Sequence, residues 1–279
     1  MRSIEGAGIL SESTLAIIGG TGKMGRSIVQ LLKPSGPRVL ICSRDIKKAE
    51  DFAKRFGTDY CSFEEAAKAD IIIVSTPTDK VVPVSLQVLE GAKTNSLLID
   101  VSSVKTGITN TILKRVPRNM EYLSIHPLFG PHIRRFEGEN VLYVSAKPGT
   151  RSKVFLAYLT QIGLNVTEVG IHEHDKIMAV IQVMHHYGLL CLGVSLMAYL
   201  PSDTGRRFYT ALLRRSLNHL DSVTDNLSAV TDVQERNPYA EWARSKFVEC
   251  AQSLQNLSSE DVTKIRDSFR KVHTLIRES

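Results

Sequence analysis

Residues able to do chemistry stand in this sequence where apolar runs break off. The run 71–75 leads into Ser75, Thr76 and Pro77, and the run 96–101 passes Asp100 into Ser102, Ser103 and Lys105 of LLIDVSSVKTG. A third run, 122–125, leads into His126, which stands ahead of the stiff turn PLFGP. A neutral imidazole can take up a proton near neutral pH, and hydroxyls beside a lysine can orient an anionic reactant. A single histidine in a proline turn is as readily a structural residue. Three such strand ends together read as a site, because the carboxyl ends of the strands in an open parallel sheet border one crevice.

The start of the chain indicates what lies in that crevice. LAIIGGTGKMGRSIVQLL reads as strand, glycine turn and helix, and Gly20, Thr21, Gly22, Lys23, Met24 and Gly25 fit GxGxxG. The first glycine permits a tight turn, the second lets a pyrophosphate approach the backbone, and the third lets helix and strand pack closely. The helix N-terminus then faces the phosphates, so the pattern predicts a dinucleotide-binding loop. The next strand, VLICSRD, ends on Ser43 and Arg44, where NAD-binding chains usually carry an acid for the ribose hydroxyls. A serine and a guanidinium accommodate a 2′-phosphate that a carboxylate would repel, so NADP is the expected cofactor. Asp45 leaves two readings open: it caps the following helix, or it turns to the ribose and admits NAD.

These residues need a scaffold, and its pattern changes partway along the chain. Strand-like runs at 15–18, 38–42, 71–75, 96–101, 122–125, 140–145 and 165–168 are interleaved with helical patterns at 22–32, 46–56 and 152–162. Wholly apolar strands separated by helices predict a parallel sheet covered on both faces. Beyond residue 170 the strands stop and helical patterns run over 175–199, 205–228 and 261–277. The expected fold class is therefore α/β, a doubly wound Rossmann-type domain followed by an all-helical dimerisation domain. The expected limits are an extension at 1–13, the dinucleotide-binding domain at 14–171 and the helical substrate domain at 172–279. The helix MAVIQVMHHYGLLCLGVSLMAYL is apolar nearly all round and must be buried on every side, which predicts a homodimer packed through it.

Composition narrows the classes of partner. A chain of 279 residues can hold two domains, and its net charge of +6 is spread in short pairs that suit a small anionic ligand at least as well as nucleic acid. It carries no recognition helix, zinc module or RNA-binding signature. Cys42, Cys61, Cys191 and Cys250 form no CxxC pair, so neither a metal site nor a disulfide framework is expected, and a reducing cytoplasm fits. No signal peptide is read at the N-terminus, and the longest apolar candidate, 187–200, is too short to span a membrane.

In this order and spacing, IIGGTGKMG, DVSSVKTG, SIHPLFGP and EHDKIMAVIQVMHH resemble the prephenate dehydrogenase family of tyrosine biosynthesis. The likeness runs from about residue 14 to residue 186 and returns in QERNPYAEW and DSFRKVHTL. It implies an enzyme that converts prephenate to 4-hydroxyphenylpyruvate by oxidative decarboxylation, without a metal. It also implies that His126 hydrogen-bonds the ring hydroxyl and takes its proton as hydride leaves the same carbon, with Ser103 near the nicotinamide. The family's HD…Q…H pattern corresponds to His174, Asp175, Gln182 and His186, which helical spacing puts on one face. His174, Gln182 and His186 then either meet the substrate or satisfy one another and the backbone inside a helical core. The family's arginine directly after a tyrosine is replaced by Thr210 after Tyr209. The substrate carboxylates therefore fall to Arg134, Arg207 or Arg214, with Arg135, Arg206 and Arg215 beside them. That departure leaves arogenate or another cyclohexadienyl acid as an alternative substrate. Two further alternatives are an NADP-dependent reductase, since GGTGKMG and CSRD also resemble enzymes exchanging hydride with a deazaflavin, and an NADP-sensing regulator.

Overall fold

The computed structural model of the chain describes residues 10–33, 36–130, 133, 135–200 and 206–278. They fall into two compact units, Met1–Ile177 and Met178–Ser279. The first is built on an eight-stranded sheet in the order β3-β2-β1-β4-β5-β6-β7-β8. Its strands are β1 Thr14–Ile18, β2 Arg38–Cys42, β3 Asp59–Tyr60, β4 Ile71–Val74, β5 Leu97–Asp100, β6 Glu121–Pro127, β7 Asn140–Lys147 and β8 Asn165–Glu168. Its helices are α1 Lys23–Leu32, α2 Ile46–Phe56, α3 Phe63–Ala67, α4 Thr78–Gly91, α5 Ile108–Leu113 and α6 Thr150–Gln161.

The central strands are apolar on both faces because helices cover both. Leu15, Ile17, Ile71, Ile73, Leu97 and Ile99 face one core, which α1 and α6 close with Ile28, Val29 and Phe155. Ala16, Ile18, Ile72, Val74 and Leu98 face the other, which α4 and α5 close with Val81, Val88 and Ile112. The expected all-parallel sheet holds through β6 and is corrected beyond it: β7 runs antiparallel to β6, and β8 parallel to β7. A parallel return needs a crossover, usually a helix, and the described residues between β6 and β7 form none. The fifth expected strand also runs further than 122–125, so that His126 lies within β6, opposite Leu142. Pro127, with no N–H to give, is the last residue of that strand.

The α7 helix Ile171–Met178, at the end of the first unit, continues through a π-helical segment, Ala179–Met184, into α8 His185–Tyr199. The whole helix has 29 residues and is long and apolar enough by composition to cross a membrane, which corrects the shorter run expected from sequence. The units divide inside this helix, between Ile177 and Met178, and not at 171/172. His174 and Asp175 are fully buried and bonded within the first unit, which carries the boundary along the helix. The helix expected at 205–228 is broken. A 3-10 turn at Arg206–Phe208 precedes α9 Ala211–Asp225, whose N-cap Thr210 accepts from Leu213 N–H at 3.1 Å, and α10 is Leu227–Arg236. Then come α11 Ala240–Ser253 and α12 Ser259–Glu278. Ala179, Val183, Val233, Ala240 and Ala243 form the core of the second unit. The apolar α8, expected to be buried all round, buries no residue fully in the single chain and leaves Val194 71% and Tyr199 86% exposed.

Candidate active site

Strand order reverses at β1, which has β2 on one side and β4 on the other. Such a switch point opens a crevice beyond the strand ends. Gly19, at φ +82°, makes the turn out of β1, and a Cβ there would collide with the Ser75 carbonyl. Gly25 sits where a Cβ would come 2.6 Å from Gly20 Cα and 2.7 Å from Gly19 O, so only glycine lets α1 start this close to the turn. Gly22 caps α1 without a side chain, leaving that end suited to an anion. Thr21 Oγ1 donates to Ser43 Oγ at 3.3 Å, Lys23 is exposed, and Met24 packs against the core. Arg44 is exposed, while Asp45 is the N-cap of α2 and accepts from Lys48 N–H at 3.0 Å. Across the crevice Ser75 Oγ and Thr76 Oγ1 are buried without a hydrogen-bond partner among the described residues, and Pro77 is the N-cap of α4. A glycine cradle facing unpartnered hydroxyls fits a dinucleotide.

From His126 near the end of β6 a hydrogen-bonded line runs to a buried carboxylate. His126 Nδ1 lies 2.9 Å from His174 Nε2, and His174 Nδ1 lies 2.7 Å from Asp175 Oδ1. Asp175 also accepts the N–H groups of Lys105 at 2.9 Å and Thr106 at 2.7 Å. A carboxylate only accepts, so His174 carries its proton on Nδ1 and offers Nε2 as an acceptor. His126 must then donate from Nδ1, which leaves the basic lone pair on its Nε2. Burial pushes the Asp175 carboxyl up, yet the bonds from His174, Lys105 and Thr106 outweigh it and hold it below the ordinary range. Burial, then the Lys105 charge, then His174 hold His126 well below the ordinary histidine range. Burial likewise lowers His174, although Asp175 pulls the other way. The arrangement is an uncharged imidazole with a fixed tautomer, chemically able to take up a proton and backed by a carboxylate that would balance the resulting charge.

A second polar cluster lies beneath the line. Lys105 is fully buried, and its Nζ donates to Ile125 O at 2.6 Å and stands 3.7 Å from Asp100 Oδ1. Asp100 further accepts Ser102 N–H at 3.0 Å, the Ser102 hydroxyl and Tyr122 OH at 2.7 Å. Ser102, expected to touch the cofactor, is thus buried with its hydroxyl turned inward to Asp100. Ser103 is half-buried beside it, and among the described residues no hydrogen bond joins it to His126.

The remaining expected residues belong to the second unit, lie outside the description, or, like Arg135, sit on the first unit's surface. Residues four apart drift about 40° per step on an α-helix. The wider π turn keeps Met178, Gln182 and His186 nearer a common face, and Gln234 Nε2 donates at 2.7 Å to the Val183 carbonyl within it. Gln182 and His186 are half-buried there. Arg207 is exposed with its guanidinium over the Phe208 ring at 4.9 Å, and Arg214 is exposed on α9. Arg134 lies outside the described residues, and Arg135 is exposed 3.9 Å from Glu137. The sequence reading missed Gly19, the anchoring role of Asp175, and the burial of Lys105 with Asp100 and Tyr122. A carboxylate closing the apolar run LLID, and an acid next to a histidine in EHDK, were the available signals.

Residues 28–146 match the sequence model of the prephenate dehydrogenase nucleotide-binding domain. A probable arogenate/prephenate dehydrogenase of Methanocaldococcus jannaschii is 24% identical over 267 residues, 93% of this chain and 59% of that protein. A chloroplastic arogenate dehydrogenase of Arabidopsis thaliana is 29% identical over 209 residues, 70% of this chain and 32% of that protein. The chain thus spans well under two thirds of the length of either relative. In fold it is similar to the crystal structure of A. aeolicus prephenate dehydrogenase in complex with hydroxyphenyl propionate and NAD+. There the TM-score is 0.78 at 15% identity, covering 96% of this chain and 98% of that one.

Proposed function

We propose that this chain is a member of the prephenate dehydrogenase family and an NADP-dependent dehydrogenase converting prephenate to 4-hydroxyphenylpyruvate and carbon dioxide. The observation that carries the reading is the hydrogen-bonded line Asp175–His174–His126, which ends in a neutral base. In the proposed reaction His126 Nε2 takes the proton of the ring hydroxyl as the hydrogen on the same carbon leaves as hydride. Bound NADP supplies the hydride acceptor. The oxygen forms a ring ketone, the bond to the ring carboxylate breaks to release carbon dioxide, and its electron pair makes the ring aromatic. His126 returns its proton to the oxygen, which becomes the phenol hydroxyl. While His126 is charged, His174 accepts its Nδ1–H and Asp175 balances the charge.

Preference for NADP over NAD rests on Ser43 and Arg44 at the end of β2, with Asp45 occupied as a helix cap. Arogenate is the second reading, favoured by Thr210 standing after Tyr209 and by the names of the relatives. The exposed apolar face of α8 supports a homodimer, and four free thiols suit a reducing cytoplasm. NADPH formation measured with prephenate and with arogenate, each against NADP and NAD, tests the function. The highest kcat/KM is expected for prephenate with NADP. Binding of NADP without turnover of either acid would overturn the enzyme and favour a nucleotide-sensing role. A solution mass of twice 31.0 kDa at micromolar concentration is expected, and a monomer mass would rule out the dimer.

A further inference from the structure

The proposed mechanism leaves the buried charge of Lys105 without a task. Lys105 is 0% exposed, where an isolated ammonium would be strongly disfavoured, yet its Nζ reaches a backbone carbonyl and stands only 3.7 Å from the nearest carboxylate oxygen. A charge held only for Asp100 would sit closer to it, since Ser102 and Tyr122 already supply Asp100 with three hydrogen bonds. The 2.6 Å bond goes instead to Ile125 O, the peptide that leads directly into His126. The backbone N–H of the same lysine holds Asp175, the far end of the histidine line. Lys105 therefore grips both ends of the line, one through its side chain and one through its main chain.

We propose that Lys105 is a positioning residue for the base: its side chain fixes the Ile125–His126 peptide, and its backbone N–H fixes Asp175 at the other end of the histidine line. The assignment deepens the reading of His126 as the base and rests on it. Among the described residues, the ionisable groups connected to His126 are His174 and Asp175 from α7 and Lys105 from the loop after β5, with Asp100 at the end of β5 beside Lys105 and Tyr122 on β6 bonded to Asp100. Across β6 the partner is the apolar Leu142. Asp100 and Asp175 would draw a proton onto His126, and Lys105 is the cation in this group that opposes them. Its effect on the histidine ranks second only to burial.

Two readouts test the role, the pH dependence of kcat/KM for prephenate and the NMR titration of the His126 ring, assigned by its loss in His126→Asn. In Lys105→Met, whose side chain has similar length, both midpoints should rise by about one pH unit or more, since one nearby charge shifts a buried group by that much. NADP affinity should stay within about twofold, because the glycine loop is untouched. Lys105→Arg, which keeps the charge, should recover most of the shift. If Lys105→Met does not fold, Lys105→Met with Asp100→Asn removes both charges and should still raise the midpoint, by less. An unmoved His126 titration in a folded variant would overturn the proposal, as would an equal shift in Lys105→Arg. The titration needs no turnover, so failure to oxidise prephenate would remove the proposed function while leaving the Lys105 result readable.

Discussion

Replacing His174 by phenylalanine tests whether the base works alone. The ring is fully buried, so a phenyl group keeps most of the packing, but it removes the 2.9 Å bond to His126 and the 2.7 Å bond to Asp175. Each buried polar group left without its partner costs about 1–3 kcal/mol. Asp175 keeps the backbone bonds from Lys105 and Thr106, so the stability loss should lie near the lower end of the sum, about 2–4 kcal/mol. The effect on rate has a separate origin. Without an acceptor at Nδ1, His126 can carry its proton on Nε2, a tautomer unable to take one from a substrate, and the imidazolium loses its balancing charge. Positioned proton transfer contributes about 10²–10⁴-fold, and kcat should fall by that order. Initial rates of NADPH formation at saturating prephenate and NADP measure it, with a urea midpoint for stability and NADP titration as the control. A folded variant whose kcat stays within tenfold of the parent would refute the relay.

Three further outcomes follow from the same geometry. His126 and His174 are both held below the ordinary histidine value of 6.5, so they bind fewer protons folded than unfolded. Their stabilisation is present above that value and is lost as pH falls from it toward the depressed folded values. The unfolding temperature should therefore drop between about pH 7 and about pH 5, less so in His126→Asn, and an equal drop in both would contradict the assignment. Arg44→Ala should weaken NADP by about 10–100-fold in calorimetric titration and leave NAD nearly unchanged, one charge-assisted phosphate contact being at stake. In Gly25→Ala the new methyl meets backbone at 2.6 and 2.7 Å, which cannot swing aside. Cofactor affinity should fall at least tenfold, with about 1–3 kcal/mol of strain in the urea midpoint, and a variant binding NADP normally would show that α1 has room to move.

The α/β order, the glycine loop and the three strand ends were legible because each is written in neighbouring residues: apolar runs broken by glycine, and polar residues at fixed offsets. The reversal of β7 was hidden because strand direction depends on whether a helix fills the connection. Asp45 reads from the sequence as a helix cap or a ribose contact alike, and only the fold shows its carboxylate accepting Lys48 N–H. Asp175 has an ordinary local explanation as an acid early in a helix, and only the fold brings it to Lys105, 70 residues away in the chain. The α4 helix was obscured by Pro83 inside it, and the break before α9 by two arginines that continue a helical pattern across Thr210. Lys105 read as a charge at a strand end. Its burial depends on carboxylates that approach from separate elements.

The most direct measurement is NADPH formation by the purified chain with prephenate, compared with His126→Asn under the same conditions. Turnover by the parent, with loss of at least about 10²-fold in the variant at unchanged NADP affinity, is the expected result. Turnover by the variant at the parent rate, or none by a parent that binds NADP, would contradict the assignment of His126 as the base of a prephenate dehydrogenase.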